Sequence, residues 1–324
     1  MIPANYSTIS FPSLGIEVNP GRTLALGPLT IHYYGLIIAI GLMLAVVYAC
    51  RRCSQFGIKQ DDLLDGVLWV TPFAILCARA YYCIFSWADY AENPISVLYI
   101  WNGGLAIYGG VLGAVAGILL LCRIKKIKIG ALLDMVALGF LIGQSIGRWG
   151  NFVNREAFGA ATDSFFRMGL YNTVTGAWEY YHPTFLYEMI WNLIGAAIIV
   201  WLGHKLVDVL KSGQQFAMYM MWYGLGRTWI ESIRINYSTI ILGLRVNVWT
   251  AIIVFLAGCI LFVVLWRFGS ETRDLTSRLR AVTADEMERQ RQLEERAAAK
   301  SGKMAKTAKP ETPAETAESE IHQD

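Results

Sequence analysis

The chain has 324 residues, of which 55% are hydrophobic and 16% charged, with a mean hydropathy of +0.41 and a formal net charge of +3. An ordinary soluble domain carries about a quarter charged residues, so this balance excludes that class and points to a membrane protein. No nucleic-acid partner is expected, and neither a cofactor nor a metal.

Residues 1–30 carry no basic stretch ahead of an apolar core, so no cleavable signal peptide is expected and this part is read as an extracytoplasmic N-terminal segment. Apolar stretches of roughly 20 residues, long enough to cross about 30 Å of hydrocarbon, then recur at 31–49, 63–85, 103–121, 131–147, 184–202, 214–231 and 248–266. The first span, which directs insertion, opens on "IHYYGL", where Tyr34 suits an aromatic belt at the interface or a functional role. It is followed by Arg51, Arg52 and Lys59. "CRRC" at 50–53 has metal or redox spacing, but no second Cys or His pair lies nearby, so these cysteines read as small apolar residues at a helix end. The six cysteines fall mostly within spans or at their inner ends, where structural disulfides are not expected.

The second span places Arg79 of "CARAYYCIF" near its end. The third begins "WNGGLAIYGGVLGAVAG", with Gly109, Gly113 and Gly117 at the four-residue spacing that lets membrane helices approach closely. Gly103, Gly104, Gly109 and Gly110 bracket Tyr108 and leave room for a lipid beside its hydroxyl, with close packing as the alternative reading. Arg123, Lys125, Lys126 and Lys128 follow.

The fourth span runs into "GRWGNFVNREAFGA" at 147–160. Continued as a helix, it puts Arg148, Asn151 and Arg155 on one face, with Asn154 and Glu156 beside them; Gly147 and Gly150 equally allow a break or a close approach. Guanidinium forks and amides bind a phosphodiester without changing protonation state. The alternative is a polar cap that merely closes the span. Residues 148–183 are expected to be an irregular outer segment. It ends in "YYHPTFLYEMIW", where His182 precedes Pro183 at a helix start and Glu188 lies deep enough to need a partner. His182 reads first as an interfacial hydrogen-bonding residue.

His204, Lys205 and Lys211 follow the fifth span. Arg227 and Glu231 in the sixth and Arg234 just after it stand at i, i+4 and i+7, one helical face with net positive charge. A charge at that depth costs several kcal/mol unless paired or wet. An internal salt bridge is the plain reading, but Glu231 balances only one of the two arginines. Arg167 and Arg245 are read as interfacial residues with wet head groups. Arg267 and Arg273 follow the seventh span. Residues 267–324 then read as a cytoplasmic charged helix, over about 285–300, and a disordered tail.

The basic clusters after spans one, three, five and seven all fall on one side, which the positive-inside bias makes cytoplasmic. The expected fold is an all-α integral membrane protein: seven transmembrane helices over 31–266, the N-terminus outside, the C-terminus cytoplasmic, and the irregular extracytoplasmic segment between spans four and five.

"GRWGNFVNREAFGA" resembles the signature of the bacterial prolipoprotein diacylglyceryl transferases, GRxGNFxNxExxG, at Gly147, Arg148, Gly150, Asn151, Phe152, Asn154, Glu156 and Gly159. "YYGL" at 33–36, "ARAYY" at 78–82, "WNGGLAIYGG" at 101–110, "HPTFLYE" at 182–188 and "YGLGRTWIESIR" at 223–234 resemble that family in the same order. The resemblance implies a bacterial inner-membrane enzyme, acting as a monomer with an outer-facing site. It would transfer the diacylglyceryl group of phosphatidylglycerol to the lipobox cysteine of a preprolipoprotein, forming a thioether and releasing glycerol 1-phosphate.

By that resemblance Arg148 and Arg227 hold the phosphodiester and stabilise the leaving phosphate, Asn151 and Asn154 add neutral hydrogen bonds, and Glu231 and Arg234 orient Arg227. Glu156, His182 and Glu188 match other family positions. Some relatives have His-Gly-Gly where this chain has Tyr108-Gly109-Gly110, and that His has been proposed as the base. Tyrosine, with a pKa near 10, is a poor base at neutral pH. Either the arginine field acidifies Tyr108 or the substrate thiol, or Tyr108 only positions the lipid; the field on the thiol is the favoured reading. A lipid or small-anion transporter is the alternative, requiring charges near mid-membrane and access from both faces.

Overall fold

The computed structural model describes residues 6–26, 29–100, 103–206, 209–235, 239–269 and 286–296. The chain divides into two units, Met1–Leu279 and Arg280–Asp324. In the second, residues 286–296 are helical with every side chain exposed, as the mixed-charge pattern predicts; the expected disordered tail lies outside the described residues.

Among the described residues the first unit is built on seven long helices: α1 (Tyr33–Arg52), α2 (Gln60–Phe85), α3 (Ile107–Lys125), α4 (Ile129–Asn154), α5 (Thr184–Lys205), α6 (Gln214–Ile233) and α7 (Val246–Phe268). Among the described residues, six are long and apolar enough to cross a membrane. The exception is α6, expected as the sixth span. Gln214, Gln215, Arg227 and Glu231 lower its hydropathy, and α6 packs against α4, α5 and α7, which shelter those groups. Large apolar side chains such as Trp69 and Ile84 face outward instead, 76% and 70% exposed.

Small residues set the helix contacts. A Cβ at Gly109 would lie 2.4 Å from the Tyr81 Cβ, and one at Gly113 2.6 Å from the Cys77 Cβ, so α3 lies directly on α2. Gly110 has looser surroundings, 3.6 Å from the Ala78 Cβ. Between α5 and α6 the contact is reciprocal. The Trp191 indole N–H donates to the Trp222 carbonyl at 3.1 Å, and Trp222 returns the bond to Trp191 at 2.9 Å. Their rings stack 4.4 Å apart. Gly195 lies under Trp222 and Gly226 under Trp191, where added Cβ atoms would come within 2.2 and 2.1 Å of the indole nitrogens.

Asp134, buried in α4, caps the start of α6. Its Oδ2 accepts from the Gly213 N–H at 2.7 Å and its Oδ1 from the Phe216 N–H at 2.8 Å, so a carboxylate meets the unpaired N–H groups of a helix N-terminus. Asp134→Ala is expected to destabilise the bundle by about 1–3 kcal/mol, measured as a lower midpoint in detergent unfolding, because two buried donors lose their acceptor. An unchanged midpoint would show that water replaces the cap.

The segment between α4 and α5, expected to be irregular, is not so throughout. Strands β1 (Tyr6–Phe11) and β2 (Ile16–Val18) form an N-terminal hairpin, and β5 (Met168–Asn172) and β6 (Ala177–Tyr181) form a second between α4 and α5. They join as one antiparallel sheet in the order β2-β1-β5-β6. Two further two-stranded ribbons, β3 (Thr23–Leu26) with β4 (Leu29–His32) and β7 (Ile240–Ile241) with β8 (Leu244–Arg245), precede α1 and α7. Ile9 and Leu170, paired across β1 and β5 and fully buried, centre a small core with Phe158, Met168 and Phe185.

Glu179 ties the sheet together, accepting from the Tyr6 and Tyr181 hydroxyls at 2.7 and 2.6 Å and from the Asn172 amide at 2.9 Å. Those bonds, Tyr181 foremost, hold its pKa below the ordinary glutamate value. Burial and the same carboxylate push Tyr181 up. A depressed carboxylate supports the fold above its unfolded pKa of about 4.3 and ceases to as pH falls through the folded value. Amide exchange in β5 and β6 should therefore accelerate below about pH 4. Glu179→Gln should remove that pH dependence; its persistence would assign the effect to another group.

Candidate active site

The quoted signature forms the last turns of α4 and the turn that ends it. The helix runs to Asn154, and Arg155 adopts φ +55°, so the Glu156 N–H returns to the Asn151 carbonyl at 3.0 Å. Arg148 and Asn151 share a face, with Arg148 Nη1 donating to Asn151 Oδ1 at 3.1 Å. Asn151 and Asn154 then donate to Glu156 Oε1 at 3.0 and 3.3 Å. Gly150 admits the Tyr34 ring, whose Cδ2 would lie 2.6 Å from an added Cβ. Tyr34 thus sits against the signature helix.

Arg155 departs from the face expected of it. The left-handed backbone turns it away, and its guanidinium binds the carbonyls of Ser7, Val153 and Pro20 and the Asn19 side chain at 2.8–2.9 Å. Burial, then the Arg22 charge, lowers its pKa from the ordinary arginine value. It fastens the N-terminal segment to α4.

Three helices bring the main cluster together. Glu188, just over one turn into α5, is 8% exposed and receives Arg148 Nη2 from α4 on Oε2. It also receives Arg227 Nη1 from α6, at 3.2 Å to Oε1 and 3.3 Å to Oε2. Arg227 Nη2 reaches back to Glu231 Oε2 at 2.8 Å, and Arg234 Nη1 lies 3.7 Å from the same oxygen. Glu231 is fully buried, and Asn247 of α7 donates to its Oε1 at 2.8 Å. Three guanidinium groups therefore face two carboxylates, leaving one net positive charge. Arg148, Glu188 and Arg227 form one wall of a small cavity, completed by groups that include Trp191, Gly226 and Ile230. Each guanidinium has five N–H donors, more than these contacts occupy. The site is suited to holding one singly charged oxyanion by fixed hydrogen bonds.

The backbone around this cluster is stitched by 157–161. The Gly159 N–H donates to the His182 carbonyl at 2.9 Å, the Ala160 N–H to Ile233 at 2.7 Å, and the Ile235 N–H to Phe158 at 3.2 Å. The Thr184 hydroxyl donates to the Ala157 carbonyl. A Cβ at Gly159 would lie 2.7 Å from the His182 Cβ, which is why glycine is needed there. The start of α5 and the end of α6 are thereby joined, fixing Glu188 against Arg227.

Other expected site residues lie elsewhere. Arg79, read as a substrate contact, is buried with its guanidinium on the carbonyls of Ser96, Val97, Tyr99, Gly103 and Gly104, and it stacks over Tyr90. It shapes the loop from α2 to α3, aided by Gly103 and Gly104 at φ +87° and +74°. A side chain at 104 would meet Arg79 Nη1 at 2.4 Å. Tyr108 lies on α3, which packs chiefly on α2; its side chain is exposed and, among the described residues, without a hydrogen bond. His182 Nδ1 lies 3.2 Å from the Tyr187 hydroxyl. Arg167 stacks on Tyr180 and donates to the Asp163 carbonyl at 3.1 Å. Arg245 instead donates to the carbonyls of Glu231 and Arg234, closing the end of α6.

Asn247, Gln144, Asn192 and Tyr223 were not among the expected site residues, although the first lines Glu231 and the rest line the cavity. Their only signal in the sequence is a polar group within an apolar stretch.

Residues 22–264 match the family model described as prolipoprotein diacylglyceryl transferase. A protein named phosphatidylglycerol–prolipoprotein diacylglyceryl transferase in Bifidobacterium longum subsp. infantis is 48% identical over 84% of this chain and 92% of its own length. Proteins of the same name in Bacillus velezensis and Lactiplantibacillus plantarum are 39% and 38% identical over 77% and 75% of this chain, and 93% and 88% of their own. With the signature residues gathered at one polar cluster among membrane-length helices, the chain belongs to the prolipoprotein diacylglyceryl transferase family.

Proposed function

We propose that this protein transfers the diacylglyceryl group of phosphatidylglycerol to the lipobox cysteine of a preprolipoprotein, releasing glycerol 1-phosphate. The observation that carries this reading is the convergence of Arg148 and Arg227 on Glu188 at the wall of one cavity. A phosphodiester carries one negative charge, matching the one positive charge left over in the cluster. The substrate sulfur forms a bond to the glyceryl carbon that bears the phosphate, and the carbon–oxygen bond to phosphate breaks. The phosphate leaves with that electron pair, and the thiol proton is lost. The departing charge falls on guanidinium donors already in place, which stabilise it with little reorganisation. The same field lowers the cost of forming thiolate. Tyr108, on the exposed flank of α3, contacts lipid in this reading and is not the base.

All seven long helices span the bacterial inner membrane, with the sheet-bearing end outside, the C-terminus cytoplasmic and one chain sufficient for activity. The basic residues at the other end of the bundle support this orientation. A C-terminal green fluorescent protein fusion should fluoresce while an alkaline phosphatase fusion stays inactive; the reverse would overturn it.

The reaction is tested with purified protein, phosphatidylglycerol and a lipobox peptide. Mass spectrometry should show the peptide gain a diacylglyceryl group in step with glycerol phosphate release, and a cysteine-to-serine peptide should gain none. Unmodified lipobox peptide would refute the assignment. A transporter reading lacks support, since the charged cluster gathers toward the sheet-bearing end.

A further inference from the structure

Behind the arginine layer lies a second, neutral layer. Gln144 precedes Arg148 by four residues on α4, and Asn192 follows Glu188 by four on α5. Because α4 ends and α5 begins at the sheet-bearing end, both lie one turn further into the bundle, about 6 Å, on the faces that carry the charged groups. Both line the same cavity, with Tyr223 at the same level on α6.

Neither amide is satisfied. Gln144 Nε2 donates to the Tyr219 hydroxyl at 2.9 Å, but its Oε1 is buried with no partner. Asn192 is 6% exposed and makes no hydrogen bond among the described residues. Buried amides are normally paired, so two open ones facing a single cavity mark the place of a ligand group. That group must donate a hydrogen to Gln144 and lie next to an oxyanion. An ester carbonyl only accepts, and a trimethylammonium has no hydrogen to donate. A primary ammonium donates, but it adds positive charge beside three arginines. A glycerol diol both donates and accepts.

Resting on the reading given above, we propose that Gln144 and Asn192 seat the diol of the phosphoglycerol leaving group and select a hydroxylated head group. Phosphate lies on Arg148 and Arg227, and the glycerol hydroxyls reach the amides behind them. Gln144 and Asn192 are therefore specificity residues, distinct from the clamp that holds the charge.

The test compares phosphatidylglycerol with phosphatidylethanol, which keeps the single phosphodiester charge but lacks the diol, as donors to the same lipobox peptide. Glycerol 1-phosphate and ethyl phosphate are compared as inhibitors. The intact protein should favour phosphatidylglycerol in kcat/KM, and glycerol 1-phosphate in inhibition, by about tenfold or more each, since a site built for hydroxyls rejects an analogue that leaves its buried groups unpaired. In Gln144→Met and Asn192→Leu, the rate with phosphatidylglycerol should fall while that with phosphatidylethanol holds, bringing the ratio toward one.

Equal treatment of the two lipids and the two phosphates by the intact protein would overturn the proposal, as would variants that slow both lipids alike. If a variant fails to fold, the comparisons on the intact protein decide. Absence of any phosphatidylglycerol-dependent lipidation would instead defeat the assigned reaction, and this inference with it.

Discussion

Arg148→Ala and Arg227→Ala are each expected to lower kcat/KM for peptide lipidation by about a thousandfold or more, the scale seen when a fixed donor to a developing oxyanion is removed. Both side chains lean on Glu188, so each deletion also loosens the other arginine, and the double variant should lose far less than the product of the two single losses. Lysine at either position should rescue poorly. An ammonium is a point charge, whereas Arg227 contacts Glu188 through one terminal nitrogen and Glu231 through the other. Initial rates with each variant, alongside unfolding midpoints to show that the bundle survives, make the check. Wild-type rates from both alanine variants would remove the phosphate clamp, and full rescue by lysine would reduce it to charge alone.

Glu188→Ala is the second large effect, and it should fall on stability as well as activity. Removing the carboxylate leaves two partly buried guanidinium groups facing each other without the anion that joins them. Breaking a buried pair by deleting one partner costs about 3–5 kcal/mol. Arg148 and Arg227 are each about a fifth exposed, which places the expected loss at the lower end of that range. Glu188→Gln keeps the shape and the acceptor oxygen and should lose less stability, yet most of the activity, because the arginines are no longer held together. A bound anionic phospholipid supplies the missing charge, so phosphatidylglycerol should raise the unfolding midpoint of Glu188→Ala more than that of the unaltered protein. The opposite ranking would mean that the lipid phosphate does not occupy this layer.

The helices were legible because lipid-facing segments must be long and uniformly apolar, a constraint that acts on every residue of 31–49 or 248–266 at once. The charged cluster was legible for the complementary reason: Arg227, Glu231 and Glu188 have no business in such segments unless they meet. The residues that deceived were those whose local setting fits two fates. Arg79 lies in an apolar span like Arg227, but its guanidinium is satisfied by five loop carbonyls, which leave no trace in the sequence. Arg155 continues the helical spacing of Arg148, and only the left-handed turn at 155 sends it elsewhere.

The four-stranded sheet was hidden because its two hairpins lie about 160 residues apart, and short strands such as "IEV" carry little periodic signal. Gln144 and Asn192 were passed over singly. Only the packing of three helices brings them to one cavity.

The paired tryptophans of α5 and α6 bear on how a bulky peptide gains entry. Each indole is hydrogen-bonded to the opposite backbone and seated over a glycine, so any slip of one helix along the other breaks two bonds and drives rings into main chain. Glu188 and Arg227 ride on that locked pair and keep their spacing whatever else in the protein shifts. The anion clamp is thus a fixed anvil, and making way for the incoming cysteine falls to the part not bolted to it, the α2–α3 hairpin.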